Sequence, residues 1–91
     1  MNRMVLQDAY EIAQGILDSQ VRPAHGVDIV ICSCVEYPTA WVFGYNTRQF
    51  LVGKEIRASL VGNGPVVVPK SGKEAFLGSS GSPIERQIGH L

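Results

Sequence analysis

Apolar residues recur at helical spacing near the start of the chain. Within residues 3–19 they follow one another every three or four residues, which predicts a helix with one buried face. Asn2 is suited to cap this helix. Because the residue before a proline is driven out of helical geometry, we expect an exit loop at 21–26 around Pro23. The apolar positions are Val5, Ala9, Ile12, Ala13, Ile16 and Leu17.

Two strand-like segments come next. Residues 27–35 and 40–46 are rich in β-branched, small apolar and aromatic residues. The short segment between them suits a hairpin, so we expect an antiparallel pair. Gly44 indicates a bulge or a close backbone approach, and residues 47–52 are interpreted as a continuation of the second strand past a bend. Alternation places three aromatic residues on one face of that strand: Trp41, Phe43 and Tyr45.

A glycine-rich turn organises the second half of the chain. Gly62 and Gly64 permit a positive φ on either side of Asn63, and Pro65 fixes the direction of the strand that follows. A phosphate-binding loop would need a helix after the glycines, whereas a run of valines follows here. We therefore predict a structural turn.

The residues after this turn predict a hairpin. Residues 66–68 form its first strand, residues 70–73 a turn with Gly72 late in it, and residues 74–78 the fourth strand of the sheet. Residues 58–61, which precede the glycines, have two interpretations: a short edge strand, or a close approach to the glycines.

A helix start is predicted near the C-terminus. Serine at the cap, proline at the first helical position and glutamate at the third form a capping box, which predicts a short helix over residues 83–90. The capping box is Ser82-Pro83-Ile84-Glu85, and the apolar residues that the helix would bury are Ile84, Ile88 and Leu91.

The elements together predict one α+β domain over residues 1–91. It comprises an N-terminal helix, an antiparallel sheet of about four strands and a short C-terminal helix, with the helices covering one face of the sheet. A chain of 91 residues has room for a single apolar core.

The overall charge of the chain narrows the classes of partner. Eight Lys and Arg balance eight Asp and Glu, so the basic surface of a nucleic-acid-binding protein is not expected, nor is a strongly acidic one. No stretch has the roughly 18 consecutive apolar residues of a membrane span, and the N-terminus lacks the pattern of a signal peptide. We expect a cytoplasmic protein with neither a nucleic acid nor a membrane as partner.

Cys32 and Cys34 are the residues most open to a chemical interpretation. At i and i+2 in a strand they should line one face as small buried residues, and a reducing compartment would keep them as thiols. A zinc site would require His25 and His90 to converge on them from opposite ends of the chain. A nucleophilic arrangement of Cys34, His25 and Asp28 has no supporting spacing. We predict no catalytic residue, no metal site and no cofactor.

With these features in place, the chain resembles the bacterial immunity protein 35 family, also called YrhB-type domains, over nearly its whole length. The resemblance implies a small antitoxin that binds a cognate polymorphic protein toxin and neutralises it sterically, without enzymatic activity. A chaperone-like role in binding unfolded clients is the alternative that the resemblance also implies. The structural residues that carry the resemblance include Trp41, Gly62, Gly64, Pro65, Gly72, Ser82 and Glu85.

Three residues are predicted as contacts with the partner. Tyr37, Arg48 and Asn63 are polar or amphipathic and fall in loops or at strand ends, where binding residues concentrate. Tyr and Arg are also residue types that anchor protein interfaces.

Overall fold

The computed structural model describes residues 5–25, 28–53, 64–79, 81–89 and 91. The fold is α+β, as predicted, and its four described strands form one antiparallel sheet in the order β1-β2-β3-β4. In chain order the elements are α1 (Leu6–Ile16), a π-helical turn (Leu17–Val21), α2 (Arg22–His25), β1 (Ile29–Glu36), β2 (Ala40–Thr47), α3 (Arg48–Gly53), β3 (Val66–Pro69), β4 (Phe76–Leu77) and α4 (Ile84–Ile88).

The helix α1 begins later than the sequence suggests. Val5 has extended backbone angles, with φ −91° and ψ 164°, so the first helical residue is Leu6 and not residue 3. The predicted cap Asn2 lies outside the described residues.

The predicted exit loop around Pro23 is wrong, because the chain stays helical through α2. The π-helical turn comes directly before the proline, and the backbone N–H of Arg22 bonds to the carbonyl of Leu17, five residues earlier. In an α-helix the proline ring would strike the carbonyl four residues before it. The wider π turn displaces that carbonyl and so accommodates Pro23 without ending the helix.

Residues 47–52 do not continue β2. Thr47 ends the strand, and Arg48–Gly53 forms the helix α3. The reason is local: the hydroxyl of Thr47 accepts a hydrogen bond from the backbone N–H of Phe50 at 3.1 Å, which caps the new helix.

At Gly64, glycine is required by a close approach and not by the predicted positive φ. Gly64 has no positive φ, but a Cβ atom there would lie 1.6 Å from the carbonyl oxygen of Gly78. The hydroxyl of Tyr45 donates to the carbonyl of Gly64 at 2.9 Å and so ties the turn to β2. Gly62 and Asn63 lie outside the described residues.

The hairpin of β3 and β4 is confirmed, although its second strand is shorter than predicted. Gly72 lies in the predicted turn with φ +90°, which glycine adopts readily, and the returning strand comprises only Phe76–Leu77. At the end of the hairpin opposite its turn, the backbone N–H of Gly78 donates to the carbonyl of Pro65 at 2.7 Å and so holds the two strands together.

The sheet separates two apolar cores, with α1 on one face and α4 on the other. Every residue of β3 is buried: Val66 and Val68 belong to the α1 core, and Val67 to the α4 core. The prediction that the helices cover one face is therefore wrong, because β3 presents apolar side chains to both faces and both must be covered. The α1 core also contains Ala9, Ala13, Leu17, Val21, Ile29 and Phe43; the α4 core contains Ala40, Val42 and Ile88.

The capping box at Ser82 and Glu85 is also wrong. The helix α4 begins at Ile84, its N-cap is Pro83, and no side-chain cap bond is found there among the described residues. Instead, the side chain of Gln87 in α4 hydrogen-bonds to the backbone of the segment that precedes the helix. Its side-chain amide donates to the carbonyls of Ser79 and Ser82, both at 2.9 Å, and its Oε1 accepts from the N–H of Ser79 at 2.6 Å.

Candidate functional site

The residues predicted to contact a partner do not form one patch. Tyr37 lies at the turn between β1 and β2 and packs against the α4 core. Arg48 follows the other end of β2, where its Nε contacts Asp28 Oδ2 at 2.6 Å. With eight residues in β2, at about 3.4 Å each, the two positions are roughly 25 Å apart. Asn63 lies outside the described residues.

Both cysteines are exposed, which corrects the prediction that they line a buried strand. Within the described part of the chain, β1 pairs only with β2 and is the outer strand of the sheet. The helix α1 packs across β2 and β3 and leaves most of β1 open to solvent. Composition identified the strand correctly but could not reveal its place at the edge.

A bulge in β1 breaks the alternation expected of Cys32 and Cys34. Ile31 lies opposite Tyr45, and the next paired residue, Ser33, lies opposite Gly44, so Cys32 is the extra residue. A Cβ atom on Gly44 would lie 2.3 Å from the Ser33 hydroxyl oxygen. The bulge therefore lies in β1, opposite Gly44, and the close approach at Gly44 is to the Ser33 side chain and not to another backbone segment.

The environment of Cys34 disfavours its reactive form. Partial burial raises the pKa of the Cys34 thiol, and the Glu36 carboxylate raises it further, so the thiolate is less populated at neutral pH. Asp28 and Cys34, two members of the nucleophilic arrangement considered above, are six residues apart along β1, or about 20 Å. Among the described residues, no three His, Cys, Asp or Glu side chains are placed to hold a metal ion.

An ion pair joins each end of β1 to the second half of the chain. Arg48 contacts Asp28 just before the strand, and Lys70 contacts Glu36 at its last residue. The Lys70 ammonium also lies 5.1 Å from the centre of the Trp41 ring, within cation–π range. The ring belongs to the partly buried margin of the α1 core, consistent with the structural role predicted for Trp41.

A row of polar and aromatic side chains connects α1 to the start of β1. The Tyr10 ring meets Phe43 edge to face at 6.3 Å, and Gln14 donates to the Tyr10 hydroxyl at 2.8 Å. Arg22 donates to the Gln14 side chain at 2.8 Å and to the carbonyl of Ile29 at 2.7 Å. This row identifies the side of α1 that faces β1.

Arg22 also contacts Asp18 at 2.6 Å, one turn before it. Sequence reasoning placed Arg22 in a loop and missed this role. The spacing of Gln14, Asp18 and Arg22 at four-residue intervals was the signal that could have found it.

The zero net charge of the chain conceals an uneven distribution. Residues 1–36 contain five acidic and two basic residues, a net charge of −3, whereas residues 37–91 contain three acidic and six basic residues, a net charge of +3. No basic residue occurs within α1, which carries Asp8 and Glu11. Neither of these forms an ion pair within the described part of the chain.

A small α+β domain with an open strand edge and a charged flanking helix suits a protein that binds another protein. The family model of immunity protein 35 matches residues 7–87, from the first turn of α1 to α4. The chain therefore belongs to the immunity protein 35 family. No curated protein and no solved structure gives a significant match. None of the described helices is long and apolar enough to cross a membrane.

Proposed function

We propose that this protein is a bacterial immunity protein that binds a cognate polymorphic toxin and neutralises it by covering its active surface. The observation that carries the proposal is the family match over residues 7–87, which includes all four strands and the helices on both faces of the sheet. Such a complex would bury about 800 Å² on each partner if the interface is of standard size.

The proposed action is steric and needs no catalytic group. Cys34 and Asp28 lie at opposite ends of β1, and the Asp28 carboxylate is already engaged by Arg48. The partner is a protein toxin made by the same bacterium, and the encounter takes place in the cytoplasm. Neither the described residues nor the family match favours the chaperone-like alternative.

The test is co-expression with the toxin encoded beside this protein's gene. We expect cells that produce both proteins to grow, cells that produce the toxin alone to stop growing, and the two purified proteins to elute as one complex. A toxin from an unrelated locus is the specificity control. Continued growth arrest on co-expression, with no complex in vitro, would contradict the proposal.

A second measurement separates steric neutralisation from enzymatic action. The Cys32→Ser/Cys34→Ser double variant removes both thiols of the chain. We expect it to protect cells as well as the wild type does. Loss of protection with an unchanged complex would instead assign the cysteines a chemical role.

A further inference from the structure

The π-helical turn lies in a helical segment whose buried residues recur every four positions. They are Ala9, Ala13, Leu17 and Val21, and all four belong to the α1 core. We infer that this turn is a register device, which resets the helix by one residue so that Val21 stays in the core and Arg22 ties the helix to β1. The inference concerns a conformational device of the fold and does not depend on the proposed function.

An unbroken α-helix would not keep these four residues on one face. It turns by about 100° per residue, so every step of four residues overshoots a full turn by about 40°. Over the three steps from Ala9 to Val21 the overshoot would reach about 120°, which would turn Val21 away from the core. In the same geometry Gln20 would lie only about 20° from Ala9 and would enter the core instead. The structure shows the opposite, because Val21 is 3% exposed and Gln20 faces solvent.

The π-helical turn cancels this overshoot. Its hydrogen bond spans five residues, from the N–H of Arg22 to the carbonyl of Leu17, so each residue turns the helix by a smaller angle than in an α-helix. Four residues of this wider turn fall short of a full turn, which offsets the drift that has accumulated between Ala9 and Leu17. The turn therefore acts as one residue inserted into an otherwise regular helix.

The same correction directs the Arg22 side chain towards β1. In an unbroken α-helix, Arg22 would lie about 80° around the helix axis from Gln14. In the structure its guanidinium donates to the Gln14 side chain at 2.8 Å and to the carbonyl of Ile29, the first residue of β1, at 2.7 Å. Bonds from a charged donor are stronger than those between neutral groups. Arg22 is therefore a positioning residue that holds the start of the outer strand against the helix.

Removing one residue from the turn tests the register directly. Deletion of Gln20 should convert the turn into a regular α-helix, and Pro23→Ala is combined with it because the proline ring would clash in that geometry. In the shortened helix Val21 and Arg22 point in nearly the same directions as before. We expect this variant to unfold cooperatively in urea, with a midpoint close to that of Pro23→Ala alone.

The matched control deletes another exposed residue, Gly15, in the same Pro23→Ala background. This deletion turns the following residues by about 100°, which moves Leu17 from its place in the core and brings Asp18 towards it. We expect the Gly15 deletion to lower the urea midpoint clearly or to abolish the cooperative transition. Equal losses for the two deletions would overturn the register device, and so would a Gly15 deletion more stable than the Gln20 deletion.

Hydrogen exchange tests the role of Arg22. Arg22→Ala should accelerate exchange of the β1 amides next to Ile29 by about tenfold, because the start of the strand loses its bond to the helix. Arg86→Ala, on α4, is the control and should leave these rates unchanged. Arg22→Ala should have the same effect in the variant that combines the Gln20 deletion with Pro23→Ala. An effect confined to the full-length helix would show that the deletion does not restore the direction of Arg22, and would overturn the inference.

Discussion

β1 and β3 belong to the same sheet and are both rich in β-branched residues, yet β3 is buried and β1 is largely exposed. All four residues of β3 are buried, with Val66 and Val67 at 0% exposure, whereas Val35 on β1 is 50% exposed. β3 has a strand on each side and a helix over each face, whereas β1 has one neighbouring strand and little cover. A similar strand-forming composition therefore builds the core at β3 but leaves a solvent-exposed surface at β1.

The largest effect is expected at the turn that leads into β3. Gly64→Val would bring a side chain against the backbone of Gly78, which cannot move without opening the hairpin. We expect a loss of about 4 kcal/mol or more in the free energy of unfolding, measured by urea denaturation. The control is Gly15→Ala in α1, where a Cβ atom meets nothing within 4 Å. It should gain about 0.5–1 kcal/mol. Wild-type stability for Gly64→Val would refute the close approach.

A pair of isosteric substitutions tests whether β3 contributes more to stability than β1 does. Val66→Thr on β3 places a hydroxyl in the α1 core, where it should cost about 1–3 kcal/mol of unfolding free energy. Val35→Thr on β1 makes the same chemical change at an exposed position and should stay within about 0.5 kcal/mol. Equal losses in urea denaturation would show that the two strands contribute alike to stability.

A smaller effect is expected at Gln87, which holds the segment between β4 and α4. Gln87→Ala removes three hydrogen bonds to Ser79 and Ser82 and should lower the free energy of unfolding by about 1–2 kcal/mol. Its exposed neighbour provides the control, because Arg86→Ala should change stability by less than about 0.5 kcal/mol. Similar thermal unfolding curves for the two variants would rule out an anchoring role.

The smallest effect concerns the chemistry of the β1 edge. With the Cys34 pKa raised by burial and by Glu36, less of the thiol is ionised at a given pH below that pKa. In a Cys32→Ser background, Cys34 should therefore react with iodoacetamide more slowly than an unstructured peptide thiol at pH 8. The difference should shrink as the pH rises through the raised pKa. Glu36→Gln should accelerate the reaction, and an unchanged rate would leave burial as the sole cause.

Periodicity and turn chemistry were enough to predict the fold class. The aromatic face of β2 and the β3–β4 hairpin, with its turn at Gly72, follow from local patterns and are confirmed. The order of strands within the sheet does not follow from local patterns, which is why Cys32 and Cys34 were predicted to be buried. Local patterns also do not predict which face of the sheet each helix covers, because that depends on both faces of β3 being apolar.

Local sequence signals gave wrong predictions where a different side chain or a change in helix geometry met the same structural requirement. Ser82 and Glu85 match a capping box, but the side chain of Gln87 bonds this segment instead. Pro23 reads as a helix end, but the π-helical turn before it makes room for the ring. The acidic surplus of residues 1–36 is visible in the sequence, whereas the place of β1 at the edge of the sheet is not.

The bulge at Cys32 has a bearing on how the protein behaves when it is concentrated. An open outer strand invites copies of the same chain to join edge to edge into larger aggregates. A bulge bends and twists the strand, so two such edges can align over only part of their length. The bulge thus discourages self-association through the exposed strand β1.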